Sequence, residues 1–149
     1  LHDALPIYLQ EEMLRILLKR FIILCTRIAR EKFSVSPERE KAFDMVRQFY
    51  VLVDNHFKEK KMVQDYANML HRSPKTLSNL FTTCGLPSPL RIIHERIEAE
   101  AKRLLLYSQK SAKEITEILG FEDQATFSRF FKKMTGESVS EYRKREKQE

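Results

Sequence analysis

Apolar residues recur along this chain at helical spacing. Ala42, Val46, Phe49 and Val53 stand four, three and four residues apart, and Leu90, Ile93, Ile97, Ala101 and Leu104 repeat the pattern further on. The helix starts are marked as well. Ser36-Pro37, Ser73-Pro74 and Ser88-Pro89 each supply a hydroxyl that accepts free N–H groups, followed by a proline that loses nothing at the first helical position. Ser111 with Glu114, and Ser138 with Glu141, read as capping boxes, and Asp123 caps a helix beginning near Gln124. The predicted helices run from about Leu9 to Lys32, Pro37 to Phe57, Val63 to Leu70, Pro74 to Cys84, Pro89 to Tyr107, Ala112 to Leu119, Gln124 to Thr135 and Val139 to Arg145. A short linker, Lys32 to Ser36, separates the first two.

The pattern also contains a repeat. Ser73-Pro74-Lys75-Thr76-Leu77-Ser78-Asn79-Leu80-Phe81 aligns with Asp123-Gln124-Ala125-Thr126-Phe127-Ser128-Arg129-Phe130-Phe131, 50 residues later, and Pro89 falls opposite Val139. Tyr66, Ala67 and Leu70 match Ile115, Thr116 and Leu119 at an offset of 49, so the second copy has one extra turn residue. Each copy is a short helix, a tight turn and a second helix, which is a helix-turn-helix unit. The expected fold is all-α: a seven-helix domain with two such motifs joined by a long linker helix, preceded by an extra N-terminal helix.

Composition narrows the function. Of 149 residues only Gly85, Gly120 and Gly136 are glycine, too few and too scattered for a dinucleotide or Walker-type phosphate loop, or for a hairpin-rich β fold. Gly120 falls in the turn of the second motif, and Gly85 and Gly136 follow the second helix of each copy, where a left-handed C-cap is wanted. Two cysteines, Cys25 and Cys84, build no disulfide framework and fit a reducing, cytoplasmic interior. The apolar stretch from Met13 to Ile28 is broken by Arg15, Lys19, Arg20 and Arg27, so it reads as no membrane span. His94-Glu95 with Glu98 lacks the second histidine of a zincin, and the remaining histidines, His2, His56 and His71, are scattered. Neither a metal nor a cofactor is expected, no nucleophile signature appears, and the chain does not read as an enzyme.

Charge points to a polyanion. The net charge is +6, with 27 basic and 21 acidic residues. A surplus of that size can serve solubility alone, as it would in a helical interaction module that binds no specific DNA, so its distribution matters. From His71 to Cys84 there are Arg72 and Lys75 and no acid; from Gln124 to Thr135 there are Arg129, Lys132 and Lys133 and no acid. The helix between them mixes both signs. A helix lying against phosphates should be depleted of acid in this way. Leu77, Leu80 and Phe81, and Phe127, Phe130 and Phe131, hold one face inward. At 1.5 Å per residue, Pro89 to Tyr107 makes a strut about 28 Å long, able to hold two recognition helices roughly 34 Å apart, one DNA turn.

The second copy resembles the AraC/XylS family of bacterial transcription regulators, in Glu114-Ile115, Leu119-Gly120-Phe121, Phe127 to Lys133, Gly136 and Glu141-Tyr142-Arg143. Arg96 to Leu105 is similar to that family's connecting helix. The resemblance implies a double helix-turn-helix domain reading successive major grooves of double-stranded DNA. Carried over by position, it implies that Lys75, Ser78 and Asn79 face bases in one half-site and Gln124, Ala125, Ser128 and Arg129 in the other. Thr76, Lys132 and Lys133 would hold the backbone. Two departures stand out: Gly85 comes one residue earlier than the family's glycine, with Leu86 in that slot, and Val139 replaces its usual proline.

The resemblance also implies an effector domain upstream, with RNA polymerase as a further partner. Residues 37–149 are expected to be the DNA-binding domain and 8–36 the last helix and linker of a truncated regulatory half. Met13, Ile16, Leu17, Phe21, Leu24 and Ile28 form an apolar stripe there, read as a homodimer interface or as a surface packed on the rest of that half. Residues 1–7, Leu-His-Asp-Ala-Leu-Pro-Ile, match the translation of a sequencing-adapter oligonucleotide and are expected to be foreign.

Overall fold

A computed structural model describes residues 7–32 and 36–146. The adapter-like residues 1–6, most of the predicted linker and the last three residues lie outside it. The chain divides into two units, residues 1–40 and 41–149. In the first, α1 (Ile7–Lys32) is a single helix of 26 residues, and α2 (Pro37–His56) begins there and continues into the second unit.

The second unit continues with α3 (Val63–Met69), α4 (Pro74–Thr83), α5 (Pro89–Tyr107), α6 (Ala112–Ile118), α7 (Gln124–Thr135) and α8 (Val139–Glu146). All described elements are thus helices, and α2 to α8 form the expected seven-helix arrangement. Each predicted cap is made. The Ser73 hydroxyl accepts from the Thr76 N–H at 3.0 Å, Ser88 from Arg91 at 3.3 Å, and Asp123 from Thr126 at 2.6 Å. The Ser111–Glu114 and Ser138–Glu141 boxes close in both directions. Leu70, Cys84 and Leu119 are C-caps rather than last helical residues, so α3, α4 and α6 each stop one residue short of expectation.

The acidic caps make stability depend on pH. N–H groups of Ser111, Thr126 and Ser138 hold the carboxyls of Glu114, Asp123 and Glu141 below their ordinary values. Folded values lower than unfolded ones add stability above about pH 4–4.5, lost as pH falls through the folded values. The urea midpoint is therefore expected to drop between about pH 5 and about pH 3. Replacing the three by Gln, Asn and Gln should shrink that drop without abolishing it, because Glu100, bonded to Arg103, titrates in the same direction. An undiminished drop would remove the caps as its source.

Two aromatic clusters form the core. Under the first motif the Phe49 ring of α2 lies 5.5 Å from Tyr66 of α3 and 5.0 Å from Phe81 of α4. The buried Tyr66 hydroxyl donates to the Lys60 carbonyl at 2.7 Å, and burial, with Asp65 and Glu59 nearby, pushes its pKa up to about 12. Under the second motif Phe121, Phe127, Phe131 and Tyr142 form a chain of rings 5.4 to 6.0 Å apart. Between the clusters runs α5, burying Ile92, Ile93, Ile97, Ala101, Leu104 and Leu105. Leu90, expected on that inward face, is 44% exposed; at the first turn Pro89 takes the buried position instead.

The two motif turns are built alike. Leu70, His71 and Arg72 donate to the carbonyls of Tyr66, Asn68 and Ala67, and Leu119, Gly120 and Phe121 donate to Ile115, Glu117 and Thr116. The left-handed residue is Gly120 in the second turn (φ 68°) and His71 in the first (φ 52°).

Candidate nucleic-acid interface

The second helix of each motif turns its apolar residues inward and its polar residues outward. Leu77, Phe81, Phe127 and Phe131 are buried, while Leu80 and Phe130 pack half-buried beside them. Lys75, Thr76, Ser78 and Asn79 of α4 are exposed, as are Gln124, Ala125, Arg129, Lys132 and Lys133 of α7. Ser128 is half-buried, set closer to the core than its counterpart Ser78. All ten residues picked out by sequence therefore lie on α4 and α7, and nine of them are open to solvent.

Charge pairing separates these helices from the strut. On α5 the cations are consumed. Arg91 bonds Glu95 at 2.7 Å, Lys102 bonds Glu98 at 2.6 Å, and Arg103 grips the mostly buried Glu100 with two bonds of 2.8 and 2.9 Å. Arg96 bonds Asp54 of α2 at 2.6 Å while its guanidinium lies 4.1 Å from the Phe57 ring centre. Among the described residues, by contrast, none of Lys75, Arg129, Lys132 and Lys133 forms an ion pair within 4 Å; Arg129 and Lys132 act on Asp123 and Glu141 only at longer range. Unpaired cations on acid-free, solvent-facing helices leave their charge available to phosphate oxygens.

The motifs differ in detail. Arg129 Nη2 donates to Thr126 Oγ1 at 3.3 Å, so a threonine one turn earlier steadies the guanidinium. Thr126 is absent from the residues expected at the interface, although its i, i+3 spacing to Arg129 carries the signal. Thr76, its counterpart, shares its hydroxyl with Ser73 at 2.8 Å instead. Thr82 and Thr83 stand where the second copy has Lys132 and Lys133, and their hydroxyls fold back onto the Ser78 and Asn79 carbonyls. The early glycine has a plain effect. Gly85 (φ 68°) follows the C-cap of α4, which ends after 10 residues, whereas Gly136 (φ 84°) is itself the C-cap of the 12-residue α7. Val139, in the proline's place, is the first residue of α8 and is buried. His94 faces this region: its ring is 5.3 Å from Phe130, and burial, then the Lys133 charge, lowers its pKa.

Comparison with known proteins agrees with this geometry. A helix-turn-helix domain family model matches residues 66–145. An HTH-type transcriptional regulator of Bacillus subtilis, YisR, is 30% identical over 122 residues, covering 81% of this chain and 41% of that protein. The arabinose operon regulatory protein of Salmonella typhimurium is 36% identical over 92 residues, covering 62% of this chain and 31% of its own length. The chain thus spans less than half the length of these relatives. Among solved structures, the C-terminal domain of AraT, a response regulator from Geobacillus stearothermophilus, superposes with a TM-score of 0.62 at 29% identity, covering 67% of this chain and 84% of that one. No helix among the described residues is long and apolar enough to cross a membrane. The chain belongs to the AraC-type helix-turn-helix family of DNA-binding transcription regulators.

Proposed function

We propose that residues 37–149 read two adjacent major-groove segments of an operator, with α4 in one and α7 in the next. The observation that carries this reading is the contrast in pairing: the cations of α5 are neutralised within the fold, and those of α4 and α7 are not. Lys75, Ser78 and Asn79 face the bases of the first half-site, and Gln124, Ala125, Ser128 and Arg129 those of the second. Thr76, Lys132 and Lys133 hold phosphates, which set register and carry no sequence information.

Arg129 is the strongest single determinant, because a guanidinium bonds guanine O6 and N7 together. Arg129→Ala is expected to cost about 1–3 kcal/mol and to relax preference at one base position, read by selection from randomised duplexes. A uniform loss over all sequences would instead place Arg129 on the backbone.

Residues 8–36 are the end of a regulatory half. Met13, Ile16, Leu17, Phe21, Leu24 and Ile28 of α1, taken by itself, are each about half exposed or more, an apolar surface that suits a homodimer formed through this helix and equally the rest of the regulatory half. A cytoplasmic regulator that meets RNA polymerase at the promoter completes the reading.

A further inference from the structure

Lys61 lies outside both motifs, in the segment between α2 and α3, yet it touches the second. Its ammonium donates to the Lys58 carbonyl at 2.5 Å and, 59 residues along the chain, to the Gly120 carbonyl at 2.9 Å. The same nitrogen stands 5.1 Å from the centre of the Phe121 ring, which packs on Phe127 and Phe130 of α7. The backbones are close here too: a Cβ on Gly120 would lie 2.1 Å from the Lys58 oxygen. The half-buried ammonium therefore joins the segment leading into the first motif to the turn from which the second recognition helix departs.

Both motifs pack on α5, a lone helix of 19 residues. A single helix can bend or let a packed neighbour roll, and either motion would change the spacing of α4 and α7. A charged donor bridging two carbonyls, beside an aromatic face, resists such motion more firmly than a neutral contact. We propose that Lys61 is a positioning residue that sets the geometry between the two recognition helices, and with it the tolerance of the protein for the distance between half-sites. The inference rests on the two-half-site reading given above.

The test uses the full chain and three duplexes: one recovered by selection from random sequence, the same duplex with one base pair inserted between the half-sites, and the second half-site alone. An insertion displaces one half-site by about 3.4 Å and about 35°. Wild type should lose about tenfold or more on insertion, the equivalent of one bidentate contact. Lys61→Met should bind the selected duplex about tenfold more weakly, lose about threefold or less on insertion, and bind the isolated half-site as wild type does. Lys61→Arg, which keeps the charge and the donors, should restore the insertion penalty. An unchanged penalty in Lys61→Met, or an equal loss on the isolated half-site, would overturn the proposal; the latter would make Lys61 a phosphate contact or a local fold element.

A second measurement needs no DNA. Spin labels at Asn79→Cys and Arg129→Cys, with Cys25 and Cys84 replaced by serine, report the α4–α7 distance. Lys61→Met should broaden that distribution and Lys61→Arg should not; an equally narrow distribution in Lys61→Met overturns the proposal. If wild type selects no duplex, the DNA-reading assignment fails, and the distances still decide the clamp.

Discussion

Raising salt from about 50 to about 200 mM is expected to weaken operator binding by about 10³–10⁵, if about 6–10 phosphates are contacted. The expectation follows from cations left unpaired by the fold. Each one that meets a phosphate releases a condensed counterion, and the logarithm of affinity then falls linearly with that of salt. The slope should be shared unequally. Lys132 and Lys133 are exposed on α7, whereas Thr82 and Thr83 at the same places on α4 are neutral, with their hydroxyls bonded within the helix. Replacing either lysine by alanine should lower the slope by about one and weaken all sequences alike. Thr82→Ala and Thr83→Ala should leave it unchanged. A flat salt response, or DNA binding indifferent to charge reversal at Lys132 and Lys133, would favour the rival reading, a helical interaction module whose charge serves solubility.

Gly120→Ala is expected to be the most damaging of the three glycine substitutions, at about 3–4 kcal/mol of unfolding free energy. Two costs combine. The residue has φ 68°, which disfavours any side chain, and its Cβ would sit 2.1 Å from the Lys58 carbonyl oxygen, a backbone atom with no rotamer to change. The first turn separates these costs, because His71 holds the same left-handed conformation with a side chain attached. Conformation alone is thus tolerated, and the excess at Gly120 belongs to the contact. Gly85 and Gly136 also have positive φ, but a Cβ on either meets nothing within 4 Å. Their alanine variants should cost only about 1 kcal/mol each. Urea midpoints of the three variants decide the matter: if Gly120→Ala is no worse than Gly136→Ala, the close approach carries no weight.

These cases show which features the sequence exposes. Ser73, Ser88, Ser111, Asp123 and Ser138 announce helix starts because capping couples residues three apart, a relation visible in a linear string. The repeat exposes α4 and α7 and their outward positions for the same reason, since helical period converts spacing into facing. Leu90 misleads because period alone does not say which residue of a helix's first turn the neighbouring core covers, and here it is Pro89. Arg96 on Phe57, Arg143 donating to the Lys110 carbonyl at 2.6 Å, and Lys61 on Gly120 join residues distant in sequence. No local pattern encodes such ties, so the packing that orients one motif against the other becomes legible only in three dimensions.

The contact between Gly120 and the Lys58 carbonyl also bears on how this domain can vary in evolution. Connecting segments on a protein surface ordinarily gain and lose residues freely. The stretch from Lys58 to Lys61 is held to length, because one added residue would move the Lys58 oxygen, the Lys61 ammonium or both away from the second turn. Segment length and the missing side chain are thus two halves of one geometric constraint. At this segment length a side chain at position 120 meets the Lys58 oxygen; a longer segment that carried that oxygen away would remove the clash.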